Sequence, residues 1–367
     1  MTAAETSAPA LKEIFNAERL KHIAKEMTAV YPAFNAKAFL KMANDGLAEL
    51  SIMQRMARVS ECLHAVLPLG YEESLDVLRA LAPRLNSGFV SISLPNYVAM
   101  YGAHDFEQSM EALKFFTSFG SSEFAIRHFL RSDLERSLAL MQVWSLDDSE
   151  HVRRLASEGS RPRLPWSFRL EPIQADPTLA AKILDNLKAD ESLYVRKSVA
   201  NHLNDITKDH PEWVLDLIEG WALENKHTAW IAKHALRSLI KQGNQRALAV
   251  IGAGGKPEVE IIDVKVEPKV IWLGEKITLS FTVKSTVPDS QRLVIDYAID
   301  YVKANGSTSA KVFKLKALTL PGHASELVSR GQQIKELTTR RHYAGEHAVH
   351  IMVNGERLAS TSFEILP

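Results

Sequence analysis

The sequence predicts two structural parts in series, an array of α-helical repeats followed by a β-sandwich. Between residues 11 and 250, apolar side chains recur at spacings of three and four, which is typical of amphipathic helices. Beyond residue 257 the apolar period becomes two, which is typical of half-buried strands. The glycine- and proline-containing segment 252–257 separates the two patterns and indicates a linker.

The helical part contains an internal repeat. Asp148-Ser-Glu-His-Val-Arg-Arg154 recurs as Glu191-Ser-Leu-Tyr-Val-Arg-Lys197, a spacing of 43 residues from position 148 to position 191. This spacing lies within the ~40–47 residues of HEAT-type helical pairs. A weaker third copy begins near Trp230. Because such repeats stack with their inner helices along one concave face, residues 11–251 are predicted to form a HEAT-like α–α superhelix.

Helix starts are marked by short polar side chains or by proline before an apolar periodic run. The predicted starts are at Asn35, Ser74, Ser109, Asp133 and Asp209-His-Pro211.

The C-terminal part is predicted to be an immunoglobulin-like sandwich. Two dipeptides, Asn305-Gly306 and Asn354-Gly355, are strong signals for tight hairpin turns. Seven or so short strands in about 110 residues are typical of this architecture. The predicted domains are a disordered tail at 1–10, the helical domain at 11–251, the linker at 252–257 and the sandwich at 258–367.

Composition narrows the possible functions. Lys plus Arg equals Asp plus Glu, at 44 each, so a nucleic-acid surface would require local clustering of cations. A single cysteine, Cys62, excludes an intramolecular disulfide and suits a reducing compartment. No apolar run approaches the ~20 residues of a membrane span, and the N-terminus lacks the pattern of a secretory signal. We therefore expect a cytoplasmic protein.

The segment His151-Val-Arg-Arg-Leu-Ala-Ser-Glu-Gly-Ser-Arg-Pro-Arg-Leu-Pro-Trp166 is the most informative part of the chain. It places four arginines around one carboxylate, Glu158, and one aromatic side chain, Trp166. Guanidinium groups this close repel one another and need an anionic partner, of which phosphate is the commonest. A carboxylate among them would weaken phosphate binding, so Glu158 suggests a role that concerns positive charge.

This segment closely resembles the signature of AlkC-type DNA glycosylases, which belong to the HEAT-like-repeat DNA alkylation repair proteins. Val195-Arg-Lys-Ser-Val-Ala-Asn-His-Leu-Asn-Asp-Ile206 is similar to the same family, and the resemblance spans roughly residues 10–250. It implies hydrolysis of the N-glycosidic bond of cationic N-alkylated bases, such as 3-methyladenine, in double-stranded DNA. It also implies that the base is not flipped into a deep pocket. Some members carry an immunoglobulin-like domain after the repeats.

That chemistry passes through an oxocarbenium-like transition state. It calls for a carboxylate near C1′ and an aromatic face against the sugar or the cationic base. The resemblance favours Glu158 as the principal carboxylate, then Glu123 and Asp205, with Trp166 as the aromatic group. The predicted DNA-binding residues are Arg154, Arg161, Arg163, Phe124, Lys197 and Lys233.

Structural alternatives stay open for several of these residues. Arg153 and Arg196 could be structural, with Asp148 and Asp190 as partners. Glu123 could be a first-turn residue stabilised by the helix dipole. Glu158 could be one half of a structural ion pair, and Asp205 could be an ordinary solvated residue.

At the level of function, the alternative is a non-catalytic HEAT-repeat DNA-structure binder or scaffold. No phosphate-binding loop or metal-spaced histidine pair is present, so we expect no cofactor and no metal. A monomer would be sufficient for a DNA-binding surface.

Overall fold

The computed structural model describes residues 10–336 and 341–367, and in this part of the chain the helices precede the strands, as predicted. All but Ala10 of the predicted N-terminal tail lies outside the described residues. The helices are α1 (Ala17–Val30), α2 (Ala36–Asn44), α3 (Ile52–Val66), α4 (Tyr71–Leu81), α5 (Gly88–Ser91), α6 (Ser93–Tyr101), α7 (Phe106–Phe116), α8 (Glu123–Ser132), α9 (Leu134–Trp144), α10 (Glu150–Gly159), α11 (Glu171–Ala175), α12 (Ala181–Leu187), α13 (Leu193–Ile206), α14 (Pro211–Glu219), α15 (Lys226–Ala235), α16 (Arg237–Lys241) and α17 (Gln245–Val250).

Short 3-10 helices lie at Leu11–Phe15, Leu47–Glu49, Ala82–Arg84 and Pro177–Ala180. The strands are β1 (Val259–Glu267), β2 (Val270–Ile271), β3 (Lys276–Ser285), β4 (Gln291–Val302), β5 (Thr308–Leu320), β6 (Ser325–Gln333), β7 (Gly345–Val353) and β8 (Glu356–Ile365).

The chain divides into two compact units, with the boundary between Asp209 and His210. The last helix ends at Val250 and the first strand begins at Val259, so the change of secondary structure falls where the linker at 252–257 was predicted. The second compact unit therefore contains α14 to α17 as well as all the strands. The domain boundaries derived from the sequence, 11–251 and 258–367, remain a proposal.

The sequence repeat corresponds to equivalent positions on two helices of the first unit, α10 and α13, which pack against each other. Arg153 donates to Asp190 Oδ2 at 2.7 Å and to the carbonyl oxygens of Asp147 and Asp148. Arg196, its counterpart, donates to the carbonyl oxygens of Asp190 and Glu191. Each arginine thus links its helix to the preceding loop. These contacts support a structural role for Arg153 and Arg196.

Three of the five predicted helix starts agree with the structure. Asn35 and Asp133 are N-caps whose side chains accept backbone N–H groups, and Pro211 is the first residue of α14. The predictions at Ser74 and Ser109 are wrong, because α4 begins at Tyr71 and α7 at Phe106. Both serines lie buried inside their helices, and Ser109 Oγ donates to the carbonyl oxygen of Gly102 instead of capping.

The strands form two sheets, one with order β1-β3-β6 and one with order β2-β8-β7-β4-β5. All pairs are antiparallel except β2 with β8. Both predicted turns are present: residues 303–307 connect β4 to β5, and Asn354-Gly355, with φ of 47° and 81°, connects β7 to β8. The alternation in β3 places Ile277, Leu279, Phe281 and Val283 in the core between the sheets.

Strand β4, which lies between β7 and β5, is buried on both faces, which its alternating pattern does not predict. Its outer face carries Val294, Asp296 and Ala298, all less than 10% exposed. The neighbouring strand β5 packs against α16 in the same compact unit. Burial raises the pKa of Asp296 to about 6, and its Oδ1 has no hydrogen-bond partner among the described residues.

Among residues 10–336 and 341–367, no helix combines the length and hydropathy that crossing a membrane requires.

We predict that Asp296→Asn stabilises the protein at neutral pH. Burial raises the folded-state pKa of Asp296 from 3.8 to about 6. The free energy of unfolding therefore falls as the pH rises between these two values, and it remains lower at higher pH. The variant should unfold with a free energy higher by roughly 1–3 kcal/mol at pH 7.5. The gain should vanish near pH 3, where wild-type Asp296 is protonated in both states.

Urea denaturation at the two pH values measures this difference. Asp289→Asn, an exposed loop substitution in the same unit, should leave stability unchanged at both. A destabilised Asp296→Asn protein at pH 7.5 would contradict the prediction.

Candidate active site

Six charged side chains of the first unit form a continuous series of ion pairs in which carboxylates and cations alternate. We call this series the charge chain. In order they are Glu123, Arg154, Glu158, Arg161, Asp205 and Lys208. The three carboxylates predicted from the sequence are therefore joined by two arginines from the same signature segment.

Helix geometry brings these groups together. Glu123 begins α8, as predicted, while Arg154 and Glu158 lie one turn apart on α10 and face the same side of that helix. Arg161 follows the end of α10 at Gly159, and Asp205 lies on α13. A Cβ atom at position 159 would lie 2.5 Å from Ile126 Cγ2, so glycine permits the close approach of α8 and α10.

Glu158 lies at the centre of the charge chain and has three donors. Its Oε1 accepts from Arg161 Nη1 at 2.6 Å and lies 3.5 Å from Arg154 Nη2. Its Oε2 accepts from Ser198 Oγ of α13 at 2.6 Å. Only 8% of this side chain is exposed, so the two guanidinium groups and the hydroxyl replace the water that burial removes.

Asp205 and Glu123 occupy the two sides of this centre. Asp205 accepts from Arg161 Nε at 2.8 Å and from Lys208 Nζ at 2.9 Å, and its side chain is 6% exposed. Asp205 is therefore a buried ion-pair residue rather than a solvated one. Glu123 Oε2 accepts from Ser121 Oγ at 2.6 Å and pairs with Arg154, and no described residue bonds to its Oε1.

The two arginines are stably protonated in this arrangement. Burial lowers the pKa of Arg154, but Glu123 and Glu158 raise it by more. Burial likewise lowers the pKa of Arg161, and Glu158 and Asp205 reverse that effect. Three carboxylates and three cations leave the charge chain neutral as a whole.

These contacts change the interpretation of the predicted DNA-binding residues. Arg161 is 7% exposed and committed to two carboxylates, which argues against a phosphate contact. Arg154 is engaged by Glu123 and Glu158 in the same way. Arg163 pairs with Asp209 at 2.6 Å, Lys197 is exposed, and Lys233 lies in the second compact unit.

One side of the charge chain opens into a cleft of about 580 Å³. Glu123, Arg154, Glu158 and Arg161 line it, whereas Asp205 lies behind Arg161 and does not contribute to its wall. The remaining wall is rich in aromatic side chains, namely Phe89, Phe119, Phe124, Trp166 and Tyr194. Negative charge and aromatic faces therefore border the same space, which can accept a positively charged group.

Trp166 is the most exposed aromatic side chain of this cleft, at 60%. Its backbone has φ of 66°, a conformation that a bulky residue adopts at a cost of about 1–3 kcal/mol. Its ring contacts the edge of Phe89 at a centroid distance of 6.3 Å. Strain at an exposed aromatic residue indicates a functional requirement rather than a contribution to the core.

Three aromatic residues of the cleft, Phe89, Phe119 and Tyr194, were not predicted from the sequence. Tyr194 lies 43 residues after His151, at the equivalent repeat position, and the two rings contact at 5.7 Å. The guanidinium carbon of Arg154 lies 5.1 Å from the centroid of the Tyr194 ring, a cation–π contact. The alignment of the two repeats, which places Tyr194 opposite His151 of the signature segment, could have identified Tyr194. Phe89, from α5, had no such signal because it lies far from the signature in sequence.

Arg127 is a further residue that was not predicted from the sequence. It is fully buried on α8 and donates to the carbonyl oxygens of Gly159, Arg161 and Phe168. Burial lowers its pKa to about 10, and Arg161 adds to this effect. Arg127 therefore fixes the segment that carries Arg161 and Trp166 without itself lining the cleft.

The described residues contain no group of three or more His, Cys, Asp or Glu side chains that could hold a metal ion.

We predict that Arg127→Met destabilises the first unit by about 3–5 kcal/mol, because three carbonyl oxygens lose their donor, two of them in buried hydrogen bonds. Urea denaturation measures the loss. Arg131→Met is the matched control: Arg131 lies over the Phe168 ring at 3.4 Å but is exposed, so its replacement should cost less than about 1 kcal/mol. Equal costs for the two variants would show that the buried hydrogen bonds are unimportant.

Comparison with known proteins places this site in a family. The model of the DNA alkylation repair enzyme family matches residues 110–239, which include the charge chain. The model described as the C-terminal Ig-like domain of the uncharacterised protein YhaZ matches residues 260–367. The predicted immunoglobulin-like class of the C-terminal domain is thereby confirmed.

Two full-length relatives agree with these matches. The uncharacterized protein YhaZ of Bacillus subtilis (strain 168) is 42% identical over 356 residues, covering 97% of this chain and 99% of that protein. The structure of the Pseudomonas fluorescens alkylpurine DNA glycosylase AlkC, bound to DNA containing an abasic site analog, is 70% identical. The match covers 98% of this chain and 100% of that chain, with a TM-score of 0.96. The resemblance inferred from the signature segment is confirmed, and the chain belongs to the family of the alkylpurine DNA glycosylase AlkC.

Proposed function

We propose that this protein is a monofunctional DNA glycosylase that releases cationic N-alkylated bases, such as 3-methyladenine, from double-stranded DNA. The observation that carries the proposal is the position of Glu158, held by two arginines at the wall of an aromatic-lined cleft. The 70% identity to an alkylpurine DNA glycosylase over nearly the whole chain supports it independently. Because its substrate is DNA, we place its action in the cytoplasm, at the nucleoid.

The reaction requires little acid catalysis, because the base is already cationic. As the bond between C1′ and the base nitrogen breaks, its electron pair neutralises the base, and positive charge moves to the sugar. A water oxygen then forms the new bond to C1′ and gives up a proton. Stabilising the sugar cation is the step in which a fixed negative charge contributes most.

The hydrogen bonds indicate a different role for each of the three carboxylates. Both oxygens of Glu158 are engaged, which makes it a fixed source of negative potential rather than a free proton acceptor. Glu123 retains one carboxylate oxygen without a described partner, and its side chain is 14% exposed. Glu123 is therefore better able to orient the water and accept its proton, while Asp205 holds Arg161 in place.

The cleft also bears on substrate selection. The carboxylates of Glu123 and Glu158 and the aromatic faces border the cleft, and both kinds of group stabilise a positive charge at the sugar or base without requiring a particular base shape. Neutral lesions should accordingly be poor substrates.

We predict that Glu158→Gln lowers 3-methyladenine release by at least about 100-fold while DNA affinity changes little, because the size of the side chain is kept but its charge is lost. Chromatography of bases released from methylated duplex DNA measures the rate. Glu150→Gln, an exposed change in the first turn of the same helix, should release bases at the wild-type rate.

Two outcomes would redirect the assignment. Near-normal release by a folded Glu158→Gln protein would reduce Glu158 to a structural ion pair. An absence of release by the wild type, with DNA binding intact, would favour the non-catalytic binder.

We predict opposite effects of Trp166→Gly on stability and on base release. Glycine adopts φ of 66° without strain, so the free energy of unfolding should rise or stay constant. Base release should fall at least about tenfold, because the aromatic face is lost. Trp272→Gly is the control: Trp272 is 56% exposed but lacks the left-handed backbone, so stability should not rise. Unchanged base release by Trp166→Gly would exclude Trp166 from the site.

A further inference from the structure

A second cavity, of about 350 Å³, lies within the second compact unit, between helices α15 to α17 and strands β4 and β5. Its volume falls within the range of small-molecule sites. Aliphatic side chains from both the helices and the sheet line the interior, namely Ile240, Val250, Ile251, Val294 and Ala317. The first compact unit, which holds the charge chain, contributes no residue to this cavity.

Five cationic side chains from helices and strands line the same cavity: Lys233, Arg237, Lys241, Arg292 and Lys314. Four of them, Lys233, Lys241, Arg292 and Lys314, form no ion pair with a described carboxylate, whereas Arg246, which lies outside the cavity, pairs with Glu212, Asp216 and Glu219. These four cations therefore outnumber the single carboxylate, Asp296, among the residues that line the cavity. Such a convergence of cations favours an anionic ligand, and guanidinium groups favour phosphate in particular.

Asp296 is the one carboxylate in the cavity wall. It is 6% exposed, and its Oδ1 accepts no hydrogen bond in the described part of the chain. Lys241 and Lys314 act on Asp296 electrostatically but form no ion pair with it. A buried acceptor without a donor costs free energy unless a ligand satisfies it. A ligand that carries a hydrogen-bond donor as well as a negative charge would satisfy this oxygen.

We propose that this cavity binds a purine nucleotide, with its phosphate at the lysines and arginines and an N–H edge of its base at Asp296. Guanine fits best, because its Watson–Crick edge offers adjacent N–H donors to a carboxylate, which when ionised can only accept. The aliphatic wall covers the faces of the base. This site is separate from the proposed base-release site and goes beyond that function.

The test is isothermal titration of the full-length protein with guanosine 5′-monophosphate, with inorganic phosphate, guanosine and adenosine 5′-monophosphate as separate arms. The nucleotide should bind at least tenfold more tightly than phosphate or guanosine alone. It should also bind more tightly than the adenine nucleotide. Lys314→Glu and Arg292→Glu should each weaken binding at least tenfold. Lys284→Glu, an exposed change on β3 outside the cavity, should have no effect.

Asp296→Asn is the most informative variant. Because this change is expected to stabilise the protein, a loss of binding could not result from unfolding. It should abolish the preference for guanine over adenine while phosphate-dependent binding persists. Three results would overturn the proposal: no binding of guanosine 5′-monophosphate at millimolar concentration, equal affinity for inorganic phosphate, or equal weakening by Lys284→Glu. Loss of duplex DNA affinity in Lys314→Glu without nucleotide binding would also overturn it, and would assign these cations to the DNA backbone.

Discussion

The charge chain is the constraint on which the rest of the first unit depends. Three carboxylates that are 14% exposed or less cannot stay charged without cations in contact, and Arg154 and Arg161 each bridge two of them. Because the partners come from α8, α10, α13 and the loop after α10, the ion pairs also set the register of those elements. Removing one member would leave the next one buried and unpaired, so the network acts as a unit.

The same network explains why an arginine-rich segment need not be a phosphate-binding segment. Of its four arginines, Arg153 pairs with Asp190 and Arg163 with Asp209, while Arg154 and Arg161 hold the carboxylates. The segment therefore delivers negative charge to the cleft in a fixed position. Contacts to the DNA backbone would have to come from more exposed cations, such as Lys197.

Local signals in the sequence predicted local structure, and the signature segment predicted the central carboxylates. Asn354-Gly355 needs only its own backbone preference to form a turn, and Glu158 is recognisable because its segment is characteristic of the family. Arg127 could not be found in this way, since its partners lie 32 to 41 residues further along the chain. Asp296 could not be found from local sequence signals either, because its burial depends on residues from two other parts of the second unit.

The most direct test of the account compares two duplex DNAs that carry abasic-site analogues, one with a cationic pyrrolidine ring and one with a neutral tetrahydrofuran ring. If Glu158 provides fixed negative potential at C1′, wild type binds the cationic analogue at least about tenfold more tightly, which is about 1.4 kcal/mol. In Glu158→Gln that preference disappears while affinity for the neutral analogue is kept. Equal affinity of the wild type for both analogues would contradict the claim that the charge chain stabilises positive charge at the sugar.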